Sequence, residues 1–128
     1  METSITKGIR ISVQPTFRPE QSAPREKKFV FSYEIIIENN SGNIVQLLRR
    51  HWYIFDSIGT QREVEGEGVV GEQPVLRPGE KFKYQSWCPL SSEFGKMYGT
   101  FLMYREDNDE EFEVIIPTFH LVCPVRMN

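Results

Sequence analysis

The residues best placed to do chemistry in this sequence fall into three clusters. The first, Gly66-Glu67-Gly68-Val69-Val70-Gly71, has the spacing GxGxxG. In dinucleotide-binding proteins such glycines let the backbone approach a pyrophosphate. The helix that follows supplies free N–H groups and the positive end of a dipole. No helix can follow here, because Pro74 comes three residues after Gly71 and Pro78-Gly79 soon after. No GKS or GKT follows either, so the run is not a P-loop. The spacing therefore reads as a bulged loop whose glycines, Gly66, Gly68 and Gly71, take positive φ. Its ligand reading is a phosphate held by loop amides alone, as in backbone nests.

The second cluster is Arg49-Arg50-His51. In a regular strand Arg49 and His51 share a face and Arg50 takes the other. A bulge would let both arginines approach one side and clamp an anion or carboxylate; otherwise they are solvent-facing residues with snorkelling stems. Arg62 is a further positive candidate near this cluster. The third cluster, 106–111, is acidic but lacks the glycine and distal glutamate of a calcium loop, so it reads as a solvated hairpin tip. His51 and His120 have no ligand spacing that requires a metal, and no metal site is assigned. No serine sits on a nucleophile elbow and no cysteine neighbours a histidine. The sequence nominates no catalytic residue and no cofactor, and the expectation is a protein that is not an enzyme.

The elements that must carry these clusters are strands. The chain has 128 residues with 12% aromatics, nine glycines and eight prolines, as expected where turns join short strands. Ile9, Ile11 and Val13 alternate with polar residues. Phe29, Phe31, Tyr33, Ile35 and Ile37 form the clearest alternation, ended by Asn39-Asn40-Ser41-Gly42-Asn43. Between residues 44 and 57, Val45 and Leu47 share one parity, and Leu48, Trp52 and Ile54 the other. That phase change predicts a β-bulge near 48–50. Ser57-Ile58-Gly59-Thr60 reads as a hairpin turn. Residues 81–88 resume as a strand with Phe82 and Tyr84 inward, and 89–96 as a loop with a short helical turn around Ser91–Phe94. Strands over 97–105 and 112–121 form the last hairpin. Pro117 predicts an edge or a bulge there.

These patterns predict an all-β chain: one domain over 1–128, an immunoglobulin- or fibronectin type III-like sandwich of seven or eight antiparallel strands without an intradomain disulfide. Cys88 and Cys123 are expected to be buried reduced thiols. The net charge of −3, with opposite charges interleaved, argues against nucleic acid as a partner. No apolar run is long enough to span a bilayer and the N-terminus lacks a signal-peptide pattern, so the expected location is the cytoplasm, with no membrane partner.

One strand carries apolar residues on both faces. Met97, Phe101 and Met103 share one parity, and Tyr98, Leu102 and Tyr104 the other. A loop of the same chain or a partner must cover the second set. Exposed aromatic patches are common at interfaces, which makes Tyr98, Leu102 and Tyr104 interaction candidates.

Three segments together resemble the ApaG family. They are Val45-Gln46-Leu47 through Arg50-His51-Trp52 to the glycine run, Pro74-Val75-Leu76-Arg77-Pro78-Gly79-Glu80, and Gly95-Lys96-Met97-Tyr98-Gly99 with Ile116-Pro117-Thr118-Phe119-His120-Leu121. The resemblance implies a fibronectin type III-like sandwich and a small bacterial cytoplasmic protein. It also implies an association with divalent cation (cobalt and magnesium) homeostasis, and a role as a protein-interaction module. Two functions stand side by side: a non-catalytic module with a protein partner, a homodimer being one arrangement, and a small-anion or nucleotide-binding domain using Gly66, Gly68, Gly71, Arg49, Arg50 and His51.

Overall fold

In a computed structural model, which describes residues 1–124, the five alternating side chains Phe29, Phe31, Tyr33, Ile35 and Ile37 are all buried. They line β3 (Phe29–Asn39), the middle of an antiparallel sheet. In chain order the strands are β1 (Glu2–Thr6), β2 (Ile9–Phe17), β3, β4 (Val45–Asp56), β5 (Gln61–Glu67), β6 (Val75–Leu76), β7 (Lys81–Leu90), β8 (Phe94–Arg105) and β9 (Glu110–Val122). One sheet has the order β1-β2-β3-β7; the other has β5-β4-β8-β9, with β6 added to β4. Every pairing is antiparallel. The architecture is the expected sandwich. Among the described residues it has nine strands, because β1 and the two-residue β6 carry no apolar stripe for a sequence reading to find.

The core lies between the two sheets. Tyr33, Trp52, Phe101 and Phe119 meet at its centre, with Trp52 edge-on to Phe119 (centroids 5.9 Å apart) and to Tyr33 (5.4 Å). Edge-to-face pairs of this kind add about 0.5–1.5 kcal/mol each beyond area burial.

Two bulges set which residues face it. On β4, Leu47 pairs with Met103 and Arg49 with Leu102, so Leu48 is the extra residue, as the parity change predicts. On β9 the pairing steps from Met97–Phe119 to Gly99–Ile116, so Pro117 and Thr118 together oppose Tyr98. Pro117 thus sits both on an edge strand and at a bulge. The missing proline N–H costs the ladder little at such a place.

Residues 91–93 depart from expectation. They form a bend and not a helical turn. Buried Asp56 accepts hydrogen bonds from Ser91 N (2.6 Å) and from Ser92 Oγ, which holds the bend open. Helical geometry among the described residues is confined to two 3-10 turns, Pro19–Gln21 and Pro24–Glu26, each begun by a proline. Cys88 is buried as expected, but Cys123 is only half-buried. Burial pushes the Cys88 thiol up to about 11, against the opposing pull of Arg62.

The two open sides of the sandwich differ. On one, β1 is tied to β9: Ser4 Oγ donates to Ile115 O at 2.6 Å and Ile115 N to Thr6 Oγ1 at 3.2 Å. On the other, the edge strands β5 and β7 are bridged by Arg62, whose Nη2 donates to Pro89 O at 2.6 Å. Next to that bridge a cleft runs into the molecule.

Candidate functional site

The bulge at Leu48 separates the residues of the second cluster. Past it, Arg50 shares the inward parity of Trp52 and Ile54, while Arg49, His51, Tyr53 and Phe55 point outward. The two arginines do not converge. Outside, Arg49 lies 4.0 Å from Glu67. Inside, Arg50 Nη1 donates to Glu67 O and to Gly68 O, both at 3.0 Å. The guanidinium lies over Gly66, where a Cβ would come within 2.8 Å of it. Gly66 is therefore required by close approach, while Gly68 (φ +62°) and Gly71 (φ +82°) are required by backbone conformation.

The glycine run is a tight hairpin, not an amide nest. Val69 N donates to Glu72 O (2.8 Å), Glu72 N returns to Val69 O (2.9 Å), and Gly68 N donates to Leu48 O (2.8 Å). Three amides that a phosphate would need are thus committed to the chain itself. Val70 and Gly71, the two central residues, both have positive φ, at +43° and +82°. That is the pattern of a type I′ turn, which favours Asn-Gly. A β-branched residue is strained there. Because the Val70 side chain is exposed, Val70→Asn is expected to stabilise the protein by about 1 kcal/mol, raising Tm by about 4 °C. Differential scanning calorimetry on the two proteins checks this; an unchanged or lowered Tm contradicts it.

The outer face of the β5-β4-β8-β9 sheet gathers what the sequence leaves scattered. Strand pairing sets Glu65 beside His51, Glu63 and Tyr98 on either side of Tyr53, and Leu102 beside Arg49. It also sets Glu113 beside Leu102 and Glu111 beside Tyr104. His51, Tyr53 and Tyr98 stack in a row, with centroids 4.6 and 5.1 Å apart and planes within 19° and 13°. Tyr98, Leu102 and Tyr104 are half-exposed and share this face. Tyr104 donates to Asp109, which raises its hydroxyl pKa above the ordinary range. Partial burial, and then Glu63, raise the Tyr53 hydroxyl. The acidic hairpin is a surface turn, tied back by Arg105 to Asp107 at 3.0 Å.

His51 is held by two carboxylates: Nε2 lies 2.5 Å from Glu63 Oε1, and Nδ1 lies 2.9 Å from Glu65 Oε1. These are the described residues whose ligand atoms, within 4.8 Å of one another, could hold a metal ion. An imidazolium donating both N–H groups satisfies the same geometry without one. Glu63 and Glu65 went unassigned in the sequence, although the hairpin turn at 57–60 implies their register with Tyr53 and His51. His120 lies on this sheet beside Lys96, remote in register from His51.

The fold and its surface define an antiparallel β-sandwich that presents an aromatic row on one outer sheet face. The ApaG domain family model matches residues 19–105, and the chain belongs to that family. It is 48% identical over 124 residues to Protein ApaG of Bradyrhizobium diazoefficiens, covering 97% of this chain and 95% of that one. It is 45% identical over 128 residues to Protein ApaG of Anaeromyxobacter dehalogenans, covering both chains entirely. A crystal structure described as an ApaA protein from Bordetella pertussis superposes with a TM-score of 0.88 at 44% identity, covering 91% of this chain and 94% of that one. No helix among the described residues is long and apolar enough to cross a membrane.

Proposed function

We propose that this chain is a non-catalytic protein-binding module that docks a basic segment of its partner on the outer face of the β5-β4-β8-β9 sheet. The observation that carries this reading is the stacked row His51–Tyr53–Tyr98 lying between two acidic margins. Glu63, Glu65 and Glu67 line β5 on one side, and Glu111 and Glu113 line β9 on the other. Half-exposed aromatic rings supply area at low entropic cost, and their faces attract Arg and Lys heads. The carboxylates add steering and register. The aromatic strand side of Tyr98, Leu102 and Tyr104 is thereby given a covering partner of stated chemistry. The competing reading, an anion held by the glycine run with Arg49, Arg50 and His51, is weakened by the committed loop amides and by the division of those side chains between two faces.

The test is a titration of the ¹⁵N-labelled protein with two peptides of equal length, one rich in Arg and aromatic residues and one with Glu in place of each Arg. The expected result is saturable shifts on β4, β5 and β8 with the basic peptide only. Binding should weaken about tenfold in Tyr98→Ala, the size of a typical anchor residue, and weaken further at high salt. Equal response to both peptides, or shifts confined to other surfaces, would overturn the reading.

A further inference from the structure

The cleft beside β5 and β7 holds a combination the fold does not need for itself. It consists of two adjoining cavities of about 190 and 210 Å³ that share Tyr33, Arg50, Trp52 and Ser86 as walls. The smaller one is also lined by Tyr84, a residue 7% exposed whose hydroxyl has no hydrogen-bond partner. Buried hydroxyls are nearly always paired, since an unpaired one costs free energy comparable to a lost hydrogen bond.

The charge balance is equally one-sided. Arg50 and Arg62 line the cleft, and no Asp or Glu does. Neither arginine makes an ion pair with any described residue. Asp56, the buried acid of β4, is committed to Ser91 and Ser92. Of the five N–H donors of a guanidinium, Arg50 directs the two on Nη1 at loop carbonyls, leaving Nε–H and the Nη2 pair. A half-buried cation with donors to spare, lining one cavity with an unpaired hydroxyl, is a receptor for an oxyanion. The walls beyond it are apolar and aromatic: Trp52, Ile54, Val64, Trp87 and Met97.

We infer that this cleft binds a small organic oxyanion, its carboxylate or phosphate head between the Arg50 guanidinium and the Tyr84 hydroxyl, its apolar body along Trp52 toward Val64. The site is separate from the outer docking face and uses the opposite side of β4. It also differs from an amide-based phosphate loop, because side chains supply the donors.

Three probes test it: inorganic phosphate, benzoate and phenyl phosphate, each titrated to 20 mM while the Arg50 Nε–H, the Trp52 indole N–H and the Ser86 amide are followed by NMR. The expected result is a saturable shift of all three reporters with at least one organic probe, that probe binding at least fivefold more tightly than inorganic phosphate. Benzoate against phenyl phosphate then says which head group is preferred. Arg50→Met should abolish saturation. Because that variant also releases the loop carbonyls, Tyr84→Phe is the decisive second change. It removes an unpartnered hydroxyl, so Tm should hold or rise, while affinity falls at least threefold. Absence of saturable shifts with both organic probes, inorganic phosphate binding as tightly as they do, or Tyr84→Phe binding as tightly as the parent would overturn the inference.

Discussion

Gly99→Ala is expected to cost about 3 kcal/mol or more, the upper end of what overpacking a strand interior produces. A Cβ on Gly99 would lie 2.0 Å from His51 O and 3.2 Å from Trp52 Cα. Both are backbone atoms of the neighbouring strand, so no side chain can rotate away, and relief requires β4 and β8 to separate. Gly99 pairs with Trp52 on one side and with Ile116 on the other, directly after the bulge that holds Pro117 and Thr118. Separation there would disturb the Trp52–Phe119 and Trp52–Phe101 contacts of the core and the Tyr53–Tyr98 stack outside it. Against a total stability of about 5–15 kcal/mol the loss is large. Urea unfolding checks it, with Gly42→Ala as the control, because a Cβ on Gly42 meets nothing within 4 Å. The control should change stability by no more than about 0.5 kcal/mol. A Gly99→Ala midpoint equal to that of the control would show that the strands do not approach as closely as described.

How far the sequence reveals this molecule depends on whether a feature is written in side-chain parity or in long-range packing. The Leu48 bulge is legible because a bulge reverses parity, and Val45, Leu47, Trp52 and Ile54 record the reversal. The same reasoning leaves the side of Arg50 open. It stops short of separating Arg49 from Arg50, since that depends on which residue of 48–50 is the extra one. β1 is not legible, because Glu2–Thr6 buries no side chain fully and is held by pairing to β2 and by Ser4 and Thr6. Tyr84 reads as inward from alternation alone. That its hydroxyl lacks a partner depends on the gap between β5 and β7, which belong to different sheets and are never paired. The stacked row on the outer face is a register fact: Tyr53 and Tyr98 meet because β4 and β8 pair as they do, and neither residue's neighbours in sequence say so. The glycine run misleads for the opposite reason. Its spacing is local and conspicuous, but its role is set by Val69 and Glu72 closing a hairpin on themselves and by Arg50 lying over Gly66.

Asn39→Asp should be strongly destabilising although it is isosteric. Asn39 is fully buried at the end of β3. Its Nδ2 donates to Asn43 O at 2.8 Å and to Leu76 O at 2.9 Å, and its Oδ1 accepts from Ser41 N at 3.0 Å and from Ser41 Oγ at 2.6 Å. The amide orientation is fixed by these partners, since carbonyls cannot donate and a backbone N–H cannot accept. One side chain thereby holds the 40–43 turn and anchors β6, which pairs with β4. A carboxylate in this place would keep the Ser41 donors on one oxygen but turn the other, an acceptor, toward the carbonyl oxygens of Asn43 and Leu76, and the buried charge would have no cation to meet. The expected loss is about 3–5 kcal/mol at pH 7, the cost of an uncompensated buried charge. The pH dependence gives a second reading of the same physics. Burial beside two carbonyl oxygens, offset only in part by the two Ser41 donors, raises the folded-state pKa of the new Asp above its unfolded value of about 3.9. The folded state then binds the proton more tightly, so stability is greatest below pH about 4 and falls as pH rises through the folded-state value. The variant should therefore lose stability relative to the parent as pH rises from 4 to 8. Protonation can restore a single donor, to one of the two carbonyls, so even the acidic limit should stay below the parent. Parallel urea titrations at pH 4, 6 and 8 measure this, and a difference between variant and parent that does not change with pH would show that Asn39 is not enclosed as its hydrogen bonds indicate.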